Sequence, residues 1–248
     1  MKIVVAGATG TLGKHVADAV RTAGHEAVAI SRASGSDLVT GSGLTETLRG
    51  ADAVIDASAT SSTSARKSVA FFTTVTRNLL AAEREAGVPH HVAISIIGAA
   101  RINANYYAGK AAQEEILRSY SGGWSMLRTS QFHEFVRQIL TAGKVGPVQV
   151  VPKMLSQPVA AREVAGELVT LATGRPQGLV PDFAGPRREL MADLVRRYLA
   201  TTGVSRPVLQ VPLPGAFGRG MRDGTLLPEP GTRAGRQTFG AWLADQAG

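Results

Sequence analysis

The chain has 248 residues and no cysteine, so disulfide frameworks, thiolate zinc sites and cysteine nucleophiles are excluded. Aromatic residues make up only 5%, and lysine is scarce because 21 of the 27 basic residues are arginine. No apolar run approaches the roughly 18 residues of a membrane span, and the N-terminus shows no signal-peptide core. These absences predict a cytoplasmic protein without a membrane partner.

The net charge of +8 is the unusual number in the composition, and it raises the question of nucleic-acid binding. Residues 1–150 hold 15 basic and 11 acidic side chains, and residues 151–248 hold 12 and 8, so the excess is spread evenly. No basic stripe with interleaved aromatic residues is present. The pattern predicts no nucleic-acid partner, and a small anionic ligand would need only a few of these positive groups.

Short apolar runs alternate with helical patterns over the first 130 residues. This alternation predicts an α/β fold, a doubly wound parallel sheet with helices on both faces. The predicted strands are 2–6, 26–31, 53–57, 91–95 and 124–128. The predicted helices between them are 11–23, 43–49, 64–87 and 106–121. After about residue 140 prolines become frequent, helical patterns recur at 160–173 and 188–202, and a short amphipathic stretch follows at 238–246.

A G-x-x-G-x-x-G run, from Gly7 to Gly13, follows the first predicted strand directly and opens the first helix. Its first glycine permits a tight turn, the second lets the backbone approach a pyrophosphate, and the third allows close packing of helix on strand. The helix N-terminus adds free N–H groups and the positive end of the helix dipole. In this position the run predicts a Rossmann-type dinucleotide site.

The end of the second strand distinguishes NAD from NADP. An NAD site has an acid there for the ribose 2′-hydroxyl, whereas an NADP site has a cation for the 2′-phosphate. The sequence reads Ser31-Arg32, a hydroxyl and a guanidinium, with no acid. Because Arg32 can hold a 2′-phosphate and stack on adenine, we predict NADP(H) in preference to NAD(H).

Tyr106 and Lys110 are four residues apart in a predicted helix, which places both on one face. An ammonium beside a phenol favours the phenolate, so Lys110 is expected to lower the pKa of Tyr106 from about 10. Tyr106 is then a proton donor for a carbonyl that receives hydride, and Tyr107 competes for that role. Ser95 ends a predicted strand at the carboxyl edge of the sheet, where its hydroxyl is expected to orient the substrate oxygen.

These residues, in this order, resemble the short-chain dehydrogenase/reductases, and segments 106–114 and 124–132 resemble the atypical, NmrA-like branch. The resemblance implies an NAD(P)-binding Rossmann fold with Tyr106 as proton donor, Lys110 as its pKa modulator and ribose ligand, and Ser95 as carbonyl anchor. It implies cofactor contacts from Gly7, Thr9, Gly10, Thr11, Leu12, Gly13, Ser31 and Arg32, from Asp37 and Leu38 at the end of a third strand, and from Ala57, Ser58 and Ala59 after a fourth. It implies substrate contacts from Gln131, Phe132 and His133.

The predicted organisation is therefore a dinucleotide-binding domain at 1–155 and a smaller substrate or cap region at 156–248, packed partly back on the sheet. The predicted function is an NADP-dependent oxidoreductase that transfers hydride to a carbonyl, quinone or enone small molecule. Scattered histidines predict no metal site, and Glu114 and Glu115 are expected to be solvated. A homodimer is left open.

Two other functions remain open. A non-catalytic NAD(P)-binding redox sensor, with the C-terminal region as a surface for a protein partner, is the main alternative. Its support is that Ala6-Gly7 and the loop at Thr129-Ser130 depart from the usual family patterns. A nucleotide-sugar isomerase is weaker, because the C-terminal region is short for a sugar-nucleotide lobe.

Overall fold

The computed structural model describes residues 1–31 and 35–247. The chain forms two compact units. The first comprises Met1–Arg128 and Val164–Pro181, and the second comprises Thr129–Glu163 and Asp182–Gly248. Within the described ranges, no helix is both long and apolar enough to cross a membrane.

The strands are short, and most of the longer ones lie in the first half of the chain. They are β1 (Lys2–Ala6), β2 (Glu26–Ile30), β3 (Ala53–Asp56), β4 (His91–Ile96), β5 (Trp124–Thr129), β6 (Lys144–Val145), β7 (Val148–Pro152), β8 (Leu155–Ser156), β9 (Gly178–Leu179), β10 (Phe183–Ala184), β11 (Glu189–Leu190), β12 (Val208–Val211) and β13 (Arg233–Ala234). The helices are α1 (Thr11–Thr22), α2 (Leu44–Leu48), α3 (Ala65–Ala86), α4 (Ala99–Ile102), α5 (Asn105–Arg118), α6 (Phe135–Ala142), α7 (Ala161–Ala172), α8 (Met191–Thr201), α9 (Gly215–Arg222) and α10 (Phe239–Ala247).

The sheet of the first unit has the strand order β2-β1-β3-β4-β5, with β9 beside β5. Parallel pairing joins β2 to β1, β1 to β3 and β3 to β4. From β1 the chain proceeds to β2 on one side and later to β3 on the other, so the strand order reverses between β1 and β3. Ligands of open α/β sheets bind at the carboxyl ends of the strands at such a reversal. The residues that follow β1 and β3 therefore lie where a ligand of this fold would bind.

Both faces of the sheet are covered, which explains why its strands are nearly continuous apolar runs. Ile3–Ala6 of β1 are 0% exposed. On one face, Val4 and Val54 pack in a cluster with Leu44 of α2 and Leu79 of α3. The doubly wound Rossmann-type fold predicted from the alternation is confirmed, and each of the five predicted strands is present within one residue of its expected ends.

The prediction of a strand that ends at Asp37 and Leu38 is wrong, because the described residues 35–43 form turns. The Asp37 carboxylate Oδ1 accepts hydrogen bonds from the Val39 and Thr40 backbone N–H groups at 2.7 and 2.9 Å, which curls the chain locally. Such aspartate turns compete with strand pairing for the backbone. The loop at 57–59 consequently follows the third strand of the chain and not the fourth.

The second unit contains smaller sheets and an aromatic cluster. Its three-stranded sheet has the order β12-β7-β6, β8 pairs with β11, and β10 pairs with β13. The His133 ring lies against Phe239 and Trp242 of α10, with ring centroids 5.6 and 5.8 Å apart. The amphipathic stretch predicted near the C-terminus is therefore a helix that packs inside this unit.

The division between the units differs from the predicted boundary at residue 155. Residues 164–181 return to the first unit, where β9 pairs with β5 through Ser125 to Gly178 and Met126 to Leu179. Residues 129–155, which were assigned to the dinucleotide-binding domain, belong to the second unit. The cause is a pairing between distant segments, which local periodicity does not report.

Candidate functional site

The turn after β1 forms a backbone cradle at the strand reversal. Gly7 has φ +77°, a left-handed conformation that side chains disfavour. A Cβ on Gly7 would lie 2.7 Å from the Ala57 carbonyl oxygen, and one on Gly13 would lie 2.1 Å from the Gly7 carbonyl oxygen. The turn thus brings β1, the start of α1 and the loop after β3 together at distances that only glycine allows.

The N-terminus of α1 opens from this cradle without a cap. Gly10 is its N-cap residue and supplies no side-chain hydrogen bond. Thr9, Gly10 and Thr11 are exposed, whereas Leu12 and Gly13 are buried. The first N–H groups of a helix have no partner inside the helix, and the helix dipole adds positive potential there. An uncapped N-terminus beside a glycine turn is suited to an anionic group such as a pyrophosphate.

The loop after β3 carries a fully buried carboxylate, Asp56, which is 0% exposed. Its Oδ1 accepts a hydrogen bond from the Ser58 N–H at 2.9 Å, and its Oδ2 accepts one from Gln113 Nε2 at 2.8 Å. The Ser58 hydroxyl is also buried and has no hydrogen-bond partner within residues 1–31 and 35–247. Ala57 is buried and Ala59 is exposed. The loop therefore links the glycine turn to α5.

Tyr106 lies in the first turn of α5, and α3 holds it in place. The Ser68 hydroxyl of α3 donates to the Tyr106 carbonyl oxygen at 3.0 Å, and the Phe72 ring meets the Tyr106 ring edge-to-face at 5.4 Å. No described residue hydrogen-bonds the Tyr106 hydroxyl. Burial, followed by the negative charge of Asp56, raises the pKa of Tyr106 well above its usual range. The expectation that Lys110 lowers this pKa is wrong, because these two effects dominate.

Lys110 is buried deeply and has its own set of contacts. Its ammonium Nζ donates to the Ile94 carbonyl oxygen and to Gln113 Oε1, both at 2.9 Å, and it lies 4.2 Å from the centroid of the Phe72 ring. Burial lowers the pKa of Lys110 to about 8, against the opposing charges of Asp56 and Glu114. Lys110 and Tyr106 therefore share the Phe72 ring, and two of the three lysine donors already have acceptors.

Glu114, expected to be solvated, is instead 0% exposed, and this expectation is wrong. Its carboxylate accepts hydrogen bonds from the Ser95 hydroxyl at 2.6 Å and from Arg128 Nε at 2.9 Å, and Arg118 pairs with it at 2.8 Å. These donors lower the pKa of Glu114 despite its burial. The helix turns this side chain towards β4 and β5, whereas Glu115 faces solvent.

Ser95 is near Lys110 in the fold, but its hydroxyl proton points to Glu114. The side chain is 3% exposed, and the same carboxylate holds Arg128. A role for Ser95 in orienting a substrate carbonyl requires this bond to be exchanged, and it stays a prediction. Tyr107, the competing acid, is 5% exposed and follows Tyr106 in the buried part of α5.

Other predicted cofactor contacts lie partly beyond what the structure describes. Arg32 falls outside the described residues, which begin again at Gly35. Ser31 precedes this gap, and its carbonyl accepts from the Ser36 N–H at 3.2 Å. Asp37 caps its own turn, and the Leu38 carbonyl accepts from Asn78 Nδ2 at 3.0 Å. Their predicted contact with adenine stays a prediction.

The three predicted substrate residues lie in the second unit, and each of them contacts other residues of that unit. Gln131 Oε1 accepts from the Ser156 hydroxyl at 2.8 Å, and Phe132 forms a bridge with Val159. His133 is 1% exposed, its Nε2 lies 3.1 Å from the Gln237 carbonyl oxygen, and burial lowers its pKa. Substrate contact by these residues stays a prediction.

Four residues of this arrangement were missed by the sequence analysis: Asp56, Phe72, Gln113 and Glu114. A signal existed for Asp56, because it is a charged residue at the carboxyl end of an otherwise apolar strand. Gln113 and Glu114 follow Lys110 by three and four residues, which places them near it on the helix. Phe72 has no such signal, since one aromatic residue in an amphipathic helix is ordinary.

The residues of the first unit fit a dinucleotide. The glycine cradle, the uncapped N-terminus of α1 and the unpartnered buried hydroxyl of Ser58 lie at the strand reversal, where the phosphates of such a ligand bind in this fold. Lys110 retains one N–H donor for a further acceptor. The donor set is suited to phosphate and hydroxyl oxygens.

Comparison with known proteins agrees with this assignment. A family model described as NAD(P)H-binding matches residues 7–172, a range that includes the glycine turn, Asp56 and α5. No protein with a curated description matches the sequence significantly.

Several solved structures share the fold. A short-chain dehydrogenase/reductase superfamily protein from Agrobacterium tumefaciens with bound NAD is 20% identical, with 100% of this chain and 96% of that chain covered and a TM-score of 0.71. An NADPH-dependent quinone oxidoreductase from Escherichia coli, complexed with NADPH, is 16% identical, with 98% and 99% covered and a TM-score of 0.73. A nucleoside-diphosphate-sugar epimerase from Staphylococcus aureus is 13% identical, with 98% and 99% covered and a TM-score of 0.70.

At these identities the likeness to solved structures concerns the fold alone. The family match rests on the sequence itself and covers more than half of the chain. Together with the glycine cradle and the strand reversal, it leads to one conclusion. The chain belongs to the NAD(P)H-binding family, and it has a Rossmann-type fold.

Proposed function

We propose that the protein is an NADP-dependent oxidoreductase that transfers hydride to a carbonyl, quinone or enone small molecule, with Tyr106 as the proton donor. The observation that carries the proposal is a continuous set of contacts in the first unit. Gly7 approaches Ala57, the adjacent Asp56 binds Gln113, and Gln113 binds Lys110, one helical turn from Tyr106. These contacts connect a phosphate cradle to a proton-donor candidate.

The nicotinamide cofactor, when bound, supplies the hydride. The backbone N–H groups at the start of α1 would hold its pyrophosphate, and the Ser58 hydroxyl is available to a further oxygen. Lys110 would donate its remaining N–H to a ribose hydroxyl. The quinone oxidoreductase and the superfamily protein among the solved structures, which hold NADPH and NAD, support a nicotinamide cofactor.

Tyr106 is suited to donate a proton and not to accept one. Because its pKa is raised, the phenol stays protonated at neutral pH, and its hydroxyl has no described partner to compete with a substrate oxygen. The developing negative charge on a reduced carbonyl or quinone oxygen would receive this proton. The Lys110 ammonium and the Tyr106 ring both contact the Phe72 ring, so one side chain of α3 positions both groups.

The preference for NADP is tested at Arg32. This residue comes two positions after the end of β2, which pairs with β1 beside the glycine turn. We expect the wild type to bind NADPH more tightly than NADH, and Arg32→Ala to lose about 1.5–3 kcal/mol of NADPH binding, roughly tenfold or more, while NADH binding is unchanged. Isothermal titration with both cofactors measures this. An unchanged preference in the variant means that Arg32 does not bind a 2′-phosphate.

The glycine cradle gives a second test with a matched control. Gly13→Ala places a Cβ 2.1 Å from the Gly7 carbonyl oxygen, so α1 must move away from β1. We expect stability to fall by about 1–3 kcal/mol and NADPH affinity to fall at least tenfold. Gly166→Ala, in α7, meets no atom within 4 Å and should stabilise by roughly 0.5–1 kcal/mol. Urea unfolding measures the stability of both variants, and NADPH fluorescence titration measures their cofactor affinity. Equal stability and equal affinity in the two variants would contradict the role of the glycine turn as a phosphate cradle.

A non-catalytic dinucleotide sensor is the second candidate, and specific contacts favour it. The Ser95 hydroxyl is bound to Glu114, and two donors of Lys110 are already used. A panel of quinones, aldehydes, ketones and enones with NADPH separates the candidates. Turnover on any of them supports the oxidoreductase, whereas tight NADPH binding without turnover supports the sensor.

A further inference from the structure

Asp56 is a carboxylate without a cation in direct contact, although no part of it reaches solvent. Its two oxygens accept hydrogen bonds from the Ser58 backbone and from the Gln113 side chain. Among the described residues, no lysine or arginine forms an ion pair with it. An ionised carboxylate is costly to bury unless it is compensated. Gln113 connects this carboxylate to the Lys110 ammonium, and His91, which is paired with Glu83, is another basic group that its charge acts on.

Gln113 connects the two charges with a defined polarity. The side chain is 0% exposed, its Nε2 donates to Asp56 at 2.8 Å, and its Oε1 accepts from Lys110 Nζ at 2.9 Å. An ionised carboxylate can only accept and an ammonium can only donate, so both ends impose the same amide orientation. The amide therefore acts as a dipole aligned between an anion and a cation.

The other groups that face Lys110 do not replace Asp56. From its own helix, Glu114 contributes a negative charge, but Arg118 and Arg128 already neutralise that carboxylate. Helix α3 contributes the Phe72 ring, and β4 contributes the Ile94 carbonyl. Burial lowers the pKa of Lys110 to about 8, and the Asp56 charge is the first of the effects that oppose this lowering. Asp56 is thus the one facing carboxylate without an arginine partner among the described residues.

We propose that Asp56, acting through the Gln113 amide, is the positioning residue for Lys110: it fixes the direction of the ammonium and keeps it charged in the cofactor site. The charge of Lys110 then depends on a carboxylate to which one intervening side chain, Gln113, connects it. Cofactor affinity should weaken above about pH 8, where Lys110 loses its proton. The statement on affinity rests on the proposed function, whereas the statement on the ammonium does not.

Lysine NMR tests the arrangement without any ligand. The chain has only six lysines, so the ¹³Cε signals of selectively labelled protein are few, and the signal absent from Lys110→Arg identifies Lys110. In the wild type we expect this signal to titrate with a midpoint about pH 8. In Asp56→Asn the midpoint should fall by about one unit or more, because the opposing charge is gone. Asp52→Asn removes an exposed carboxylate four residues earlier and should leave the midpoint unchanged.

A charge-transposed double variant separates this role from simple packing. Asp56→Asn with Gln113→Glu keeps the number of donors and acceptors, since the new amide can donate to the new carboxylate, which still accepts from Lys110. The negative charge now lies directly beside the ammonium, so the midpoint should rise above that of the wild type. If the single variant does not fold, the double variant carries the test. An unchanged midpoint in a folded variant would overturn the proposal.

Cofactor binding links the arrangement to the proposed function. NADPH titrations between pH 6.5 and 9.5, roughly one and a half units either side of the Lys110 midpoint, should show tight binding at the lower end and weaker binding above about pH 8. In Asp56→Asn the weakening should begin about one unit lower. If the wild type fails to bind NADPH at every pH, the proposed function is refuted. The lysine titration decides the role of Asp56 in either case.

Discussion

Tyr106→Phe is expected to lower NADPH-dependent turnover of a quinone or carbonyl substrate by about 10²–10⁴-fold, with little change in NADPH affinity. The phenylalanine keeps the edge-to-face contact with Phe72 and the backbone bond from Ser68. It removes only the hydroxyl, which has no described partner. The loss therefore reports proton donation, and steady-state kinetics with a parallel binding titration measure it.

Tyr107→Phe is the matched control for this experiment. Tyr107 is the next residue of α5 and is 5% exposed, so its side chain lies deeper in the unit. We expect the loss of the Tyr107 hydroxyl to lower turnover by less than about tenfold. Full activity in Tyr106→Phe together with loss in Tyr107→Phe would move the acid role to Tyr107. Full activity in both variants would mean that neither tyrosine donates the proton, and it would contradict the proposed mechanism.

Glu114→Gln is expected to destabilise the protein by about 3 kcal/mol, whereas Glu115→Gln should change stability by less than about 0.5 kcal/mol. Glu114 binds Ser95, Arg118 and Arg128 from a fully buried position, so the neutral amide loses the charge that pairs with both arginines. The Glu115 side chain is 75% exposed and pairs with Arg118 only at 3.7 Å. Urea unfolding of the two adjacent variants compares a buried with a solvated charge.

The pH dependence of this difference has a definite sign. The pKa of Glu114 is lowered in the folded protein, so its contribution is present above the ordinary glutamate value of about 4.3. It is lost as pH falls through the folded-state pKa. The gap in stability between the wild type and Glu114→Gln should therefore be full at neutral pH and shrink below about pH 4. A gap that stays constant with pH would mean that charge is not its cause.

The sequence predicts well those features that depend on neighbouring residues. The five strands of the sheet were located within one residue, because a strand covered on both faces is a short continuous apolar run. The glycine turn was recognised because Gly7, Gly10 and Gly13 follow β1 directly, and their backbone constraints are local. Helix α5 placed Tyr106 and Lys110 one turn apart, as their spacing indicates.

The errors lie where distant segments determine the outcome. Glu114 and Glu115 are adjacent and identical in type, yet one is buried between β4 and β5 and the other is exposed. The position of the partners Ser95 and Arg128 decides this, and no local pattern contains it. The prediction of a strand at Asp37 is wrong for another reason. The Asp37 side chain caps a turn and Asn78 binds the Leu38 carbonyl, and these hydrogen bonds replace sheet pairing.

The amino-acid sequence by itself determined the class of this protein: an α/β chain with a dinucleotide turn at its first strand and a tyrosine and lysine on one helix. These properties follow from period, spacing and glycine geometry, which act over a few residues. Only the tertiary structure decided which charges the site contains. Asp56 and Gln113 are 57 residues apart and meet at 2.8 Å, and the low-polarity interior around them raises the pKa of Tyr106 and lowers that of Lys110. Burial and long-range electrostatics depend on the whole packing, so they appear only when the chain is folded.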